Sequence, residues 1–343
     1  MGIIIAILLF SFIIIFHELG HFLLAKANGI RVDEFSLGLG PTLIGKQIGG
    51  TFFCIKLLPF GGACMMGEDD ENDMSEGSFN SKSVWARISV IAAGPLFNLI
   101  LAWIFCVVLI GMTGYRPTEI AGVQEGYSAE EQGLQAGDKI VEINGRNVHI
   151  WDQISLYILS HPDETEYEVV YEREGEEYTA VLKPRQLEGD TSPQLGILSS
   201  NLEKPGVLGT LQYGFYRLQY WMQYTLDSLR MLITGQVGIR DMSGPVGIVD
   251  VVDDVYRTAA PAGTMAVVLS LMNFGTLISA NLGVVNLLPI PALDGGRLVF
   301  LIVEAVRRKR IPPEKEGMVH FAGFAVLMVL MVVVMYNDIM KLF

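Results

Sequence analysis

The chain opens on an apolar run that is interrupted by ionisable residues where a membrane helix tolerates them least. Met1 to Phe16 is almost unbroken hydrophobic side chain, His17-Glu18-Leu19-Gly20-His21 follows, and Phe22 to Ala25 resumes the apolar pattern. A run of this length reads as a membrane-spanning helix. On a helix, His17 and His21 fall one turn apart on the same face, so two imidazoles can share one Zn2+. Glu18 then stands beside the ion as a general base towards water. Two histidines and a carboxylate at membrane depth are costly, and polar groups kept there point to function. The bland alternative, a chance HExxH whose polar groups pair internally, carries little weight inside an apolar span. Ala25-Lys26-Ala27 resembles a signal-peptide cleavage site, but no basic residue precedes the apolar stretch and cleavage would discard the HExxH. The segment is therefore expected to be a retained first span.

Half of the 343 residues are hydrophobic (51%), and they are concentrated in runs. That pattern predicts a polytopic α-helical membrane protein of about four spans, with a membrane-associated β-hairpin region and an inserted extracytoplasmic α+β domain. A net charge of −13 argues against nucleic acid as a partner. Cys54, Cys64 and Cys106 form no CxxC pair, so neither a disulfide framework nor a thiolate zinc site is expected.

In chain order, residues 1–115 are expected to hold spans one and two of the catalytic membrane part, with a glycine-broken β region at 30–66. An acidic loop, Glu68 to Ser83, separates that region from the second span. Gly94-Pro95-Leu96-Phe97-Asn98 lies in the first half of the second span, and Asn98 must find a partner at that depth. A helix-packing contact and a place in the site are both open for it. Residues 116–200 are soluble in character, with a strand and tight turn around Asn144-Gly145, a helix over Trp151–Ser160, and a hairpin turning at Glu174-Gly175. Residues 201–264 read as an amphipathic surface helix (208–235) and a linker with a loop at Ser243–Gly247. Residues 265–343 would supply spans three and four. The third passes Asn281 and Asn286, breaks at Pro289 and Pro291, and reaches Asp294-Gly295-Gly296. Unwound backbone at that depth is tolerated only in protein contact or around a cavity. Asp294 could cap the following helix, but a buried acid beside an HExxH span is better explained as a third zinc ligand that leaves one position open.

Basic residues flank one end of each pair of spans: Lys26, Arg31, Lys46, Lys56, Lys82 and Arg87, then Arg297, Arg307, Arg308, Lys309, Arg310 and Lys315. The positive-inside rule places these ends in the cytoplasm, with both termini and the soluble insert outside and the active site near the cytoplasmic side.

Taken together, HELGH, GPLFN, SGPVGI and NLLPIPALDGGR resemble the site-2 protease family of intramembrane zinc metalloproteases, in its bacterial branch. GLQAGDKIVEINGRNV in the insert resembles a PDZ domain, with Gln194-Leu195-Gly196-Ile197 as a candidate carboxylate-binding loop for a peptide C-terminus. The resemblance implies that His17, His21 and Asp294 bind Zn2+ and that Glu18 is the general base. It also implies that Asn281, Asn286, Pro289 and Pro291, with Asn98 grouped beside them, receive an unwound substrate helix. Expected substrates are single-pass membrane proteins, such as an anti-sigma factor or a signal-peptide remnant, cut in the bilayer of a bacterial plasma membrane after a first trimming cut. The alternative is an inactive membrane scaffold working through its PDZ domain, for which Glu18 would be superfluous.

The chain as purified should carry about one zinc. His17→Ala and Asp294→Asn should each lose most of it in elemental analysis. Full zinc retention by Asp294→Asn would remove the third ligand.

Overall fold

The computed structural model describes residues 2–67, 74–186, 194–238 and 242–341. The most acidic part of the expected loop, residues 68–73, lies outside them. In chain order come α1 (Gly2–Ala27), β1 (Glu34–Ile48), β2 (Thr51–Met65) and α2 (Val84–Thr113). There follow β3 (Ile120–Val123), α3 (Ser128–Glu131), β4 (Lys139–Ile143), β5 (Arg146–Asn147) and α4 (Trp151–Ser160). Then come β6 (Tyr167–Arg173), β7 (Glu176–Leu182), β8 (Ile197–Ser199) and α5 (Val207–Thr234). The chain closes on α6 (Pro245–Ala259), α7 (Thr264–Leu287), α8 (Asp294–Arg307) and α9 (Pro313–Lys341). Two compact units emerge: Met1–Phe105 with Leu232–Phe343, and Cys106–Met231.

Among the described residues, four helices are long and apolar enough to cross a bilayer: Gly2–Ala27, Val84–Thr113, Thr264–Leu287 and Glu314–Lys341. Many of their large apolar side chains point outward, as Leu8 at 65% exposure and Phe321 at 73% illustrate. In lipid such side chains need no protein cover, while a helix satisfies most of its backbone groups internally. The protein is thus a multi-pass membrane protein. α5 is not among the four.

In the first unit β1 and β2 form an antiparallel hairpin whose strands bend, so that residues 34–37 pair with both 52–55 and 62–65. Lys56 meets Glu34 at 2.6 Å, and that hydrogen bond holds the Glu34 carboxyl below its ordinary range. Phe22 of α1 meets Phe35 and Phe53 edge-on, fastening the hairpin to the helix. A shared core of Ala25, Ile30, Val32, Cys64, Val90, Leu298 and others joins α1, the hairpin, α2 and α8.

The SGPVG segment, expected to be a loop, instead starts a helix at Pro245. Proline suits the first helical position because its missing N–H would be unpaired there anyway. Gly244 has no side chain to cap that helix, so Asp338 of α9 does it. Its Oδ1 accepts the Gly244 N–H at 3.1 Å and its Oδ2 the Gly247 N–H at 2.9 Å. A Cβ on Gly244 would lie 2.8 Å from the carboxylate, so a side chain there would crowd it.

In the second unit a four-stranded sheet runs in the order β5-β4-β6-β7, and β3 pairs with β8. Its core is built from Ile140, Ile143, Ile154, Tyr167, Leu182 and their neighbours. α5 is fastened to this unit by a buried acid: Asp227 accepts from Arg146 at 3.1 Å and from the Ser160 hydroxyl at 3.4 Å. Tyr115 stacks on Tyr213 with ring centroids 3.6 Å apart.

Asp338→Ala should strip two backbone donors of their acceptor at a buried helix start and destabilise the membrane unit by about 2 kcal/mol. Thermal unfolding in detergent measures it; an unchanged midpoint would show that the cap contributes nothing.

Candidate metal centre

α1 brings His17 and His21 to one face, as their spacing requires, and both are buried. Their Nε2 atoms lie 3.2 Å apart. The Oδ2 atom of Asp294, the first residue of α8, is 3.2 Å from the His17 Nε2 and 3.5 Å from the His21 Nε2. Zinc bonds of about 2.0–2.1 Å at tetrahedral angles separate neighbouring donors by about 3.3 Å. The observed triangle is therefore the size that one such ion would span. It is also the one cluster of metal-ligating side chains among the described residues. Asp294 is not the cap of α8; that position falls to Leu293.

The far side of each ring is engaged. His21 Nδ1 donates to the Val90 carbonyl at 2.8 Å, which leaves its Nε2 lone pair free for a metal. His17 Nδ1 faces the side-chain amide of Asn98 at 3.1 Å. With His17 Nε2 bound to a metal, Nδ1 carries the proton and the amide must turn its oxygen towards it. Asn98 is 0% exposed. Its backbone carbonyl also accepts the Ser279 hydroxyl at 2.8 Å, tying α2 to α7.

Room for the rings comes from glycine. A Cβ on Gly94 would lie 2.2 Å from His21 Nε2 and 2.8 Å from His17 Nε2. One on Gly20 would lie 2.4 Å from the Ala93 carbonyl oxygen, so α1 and α2 touch backbone to backbone beside the histidines.

Glu18 faces the hairpin. A Cβ on Gly62 of β2 would be 3.0 Å from its Cγ, and the Cys64 amide reaches its carboxylate. Asn281 is exposed on α7 and Asn286 half-buried near its end. Pro289 is exposed and Pro291 half-buried, both in the turn between α7 and α8. None of these four belongs to the ligand triangle.

Sequence reasoning missed the Val90 carbonyl, which no side-chain pattern could reveal, and the steric duty of Gly94, whose GPLFN motif was visible without its reason. It also missed the pairing of buried Arg87 with half-buried Glu304, 2.5 Å apart between α2 and α8.

Helical spans enclosing two histidines of an HExxH and an aspartate, at zinc spacing and beside a glutamate, define a metallopeptidase of the membrane. The profile of peptidase family M50 matches residues 5–330. The chain is 37% identical over 340 residues to a Clostridium acetobutylicum protein, covering 98% of this chain and 97% of that one. It is 34% identical to the zinc metalloprotease RasP of Bacillus licheniformis, with 98% of each chain covered. It is also 33% identical to the regulator of sigma-W protease RasP of Bacillus subtilis, again over 98% of each. The chain belongs to peptidase family M50 and is an intramembrane zinc metalloprotease.

Gly94→Val should push the imidazoles apart and leave the purified chain with a small fraction of about one zinc. Elemental analysis decides it; normal zinc content would mean that the close approach at Gly94 is not needed.

Proposed function

We propose that His17, His21 and Asp294 hold the catalytic zinc and that Glu18 is the general base in hydrolysis of a peptide bond within a transmembrane helix. The observation that carries this reading is the ligand triangle of 3.2, 3.2 and 3.5 Å with Glu18 next in sequence to His17. When bound, zinc acidifies water and polarises the scissile carbonyl. Glu18 takes the proton from that water and passes it to the leaving amine. Val90 and Asn98 keep the two imidazoles in the tautomer and orientation that metal binding needs. Asn98 thus acts on His17 rather than on substrate.

A substrate helix hides its carbonyls in its own hydrogen bonds and must unwind before it can be cut. The edge of β2 around Gly62, beside Glu18, supports a role for a membrane-associated hairpin that takes the unwound segment as an added strand. Asn281 and Asn286 would pair with freed backbone groups, and Pro289 and Pro291 hold the α7–α8 turn out of helix. Substrates of this kind are single-pass membrane proteins, and the name of the Bacillus subtilis relative favours an anti-sigma factor over a signal-peptide remnant.

The insert at 116–200 is read as a PDZ-like domain that binds a peptide C-terminus. The Gln194–Ile197 loop supports this, since its Leu195 and Gly196 carbonyls accept the Ala129 and Gln124 amides and so fix the turn leading into β8. The basic ends of the spans favour a cytoplasmic active site, with both termini and the insert outside.

Glu18→Gln should bind zinc as the wild type does and cut about 10²- to 10⁴-fold more slowly. The assay is cleavage of tagged single-pass substrates, anti-sigma factors first, in reconstituted vesicles. Wild-type cleavage by this variant would end the general-base assignment.

A further inference from the structure

The reaction as derived uses no side chain of α9, yet one of them grips the turn that carries Asp294. Ala292, two residues before that aspartate, has φ of 73°. This left-handed backbone crowds Cβ against the carbonyl, and a residue other than glycine keeps it only where its surroundings enforce it. Here the Ala292 N–H donates to Nδ1 of His320 on α9 at 2.9 Å.

A second grip lies one turn further along the same helix. A Cβ on Gly323 would sit 2.4 Å from the Pro291 Cβ and 2.8 Å from its carbonyl oxygen, so α9 lies flush against the turn. The start of α8 closes in as well, where a Cβ on Gly296 would lie 2.6 Å from the Ile290 carbonyl oxygen. The turn is held between two helices, and Asp294 emerges from it. His320 and Asp294 also line one cavity of about 850 Å³, together with Arg87, Arg297 and Glu304.

The two ring nitrogens divide the work. Nδ1 accepts a backbone N–H, so the ring proton belongs on Nε2. Nε2 is buried with no hydrogen-bond partner among the described residues; the Glu316 carboxylate is 3.9 Å away. The ring is thus committed to the turn by a single bond.

We propose that His320 is a positioning residue for the metal centre. By accepting the Ala292 N–H it fixes the left-handed residue that aims the Asp294 carboxylate at His17 and His21. This rests on the reading of Asp294 as a zinc ligand.

The test is zinc affinity of the purified full chain, measured by competition with a chromogenic chelator. His320→Phe keeps an aromatic ring of similar size without the acceptor, and should bind zinc about 10-fold more weakly or worse. His320→Asn restores an acceptor at the position of Nδ1 and should recover most of that loss, which a side chain valued only for its bulk would not do. Gly323→Ala, which displaces Pro291 without touching His320, should weaken zinc binding as well. Asp294→Asn serves as the reference.

If Asp294→Asn loses zinc while His320→Phe or Gly323→Ala binds it as the wild type does, the positioning role is overturned and the ligand assignment stands. The same holds if His320→Asn falls as far as His320→Phe. Wild-type zinc binding by Asp294→Asn would overturn the ligand assignment and this proposal together.

Discussion

Three side chains that prefer water, His17, His21 and Asp294, meet inside an apolar helix bundle with their donor atoms 3.2–3.5 Å apart. Without a partner, each would carry a large desolvation cost in lipid surroundings. The surrounding membrane unit is arranged to meet that demand. Gly20 and Gly94 let α1 and α2 approach until the rings fit between them, and the Val90 carbonyl and Asn98 amide engage the outer ring nitrogens. The Pro289–Leu293 turn delivers a carboxylate from α8 to the third corner. A carboxylate set opposite two imidazoles is a donor set that suits a divalent cation.

The same logic recurs away from the metal. Asp338, at 2% exposure in the last span, is kept because it satisfies two backbone donors at the start of α6. Arg87 and Glu304 are kept as a pair. Asp227 in the second unit is buried only because Arg146, Ser160 and Gln223 donate to it. Each of these charges is matched by donors or a counter-charge, and the matches at Asp338, at Arg87 and between Asp227 and Arg146 tie together elements far apart in the chain.

The hairpin has a different origin. Glycines at 38, 40, 49, 50 and 61 adopt positive φ and let β1 and β2 bend back along one another instead of running straight. The bend places residues 62–65 next to Glu18, so a carboxylate on an apolar helix faces the backbone of a strand.

The four spans, the HExxH face of α1, the hairpin at Glu174-Gly175 and the helix over Trp151–Ser160 were legible because length, i,i+4 spacing and strand alternation are local properties of a chain. Asp294 stood out for its chemistry, an acid among prolines and glycines in an apolar run. Its distance from the histidines depends instead on how α8 packs on α1 and α2. The same is true of Asn98, which turns its amide to His17, and of Asp338, which caps a helix begun in what reads as a loop. His320, too, reaches a backbone amide 28 residues away. Sequence alone therefore determined which segments cross the membrane and which residues could hold a metal. Only the tertiary structure decided which polar groups answer one another, because a hydrogen bond between helices depends on ångström-scale packing that no one-dimensional pattern encodes.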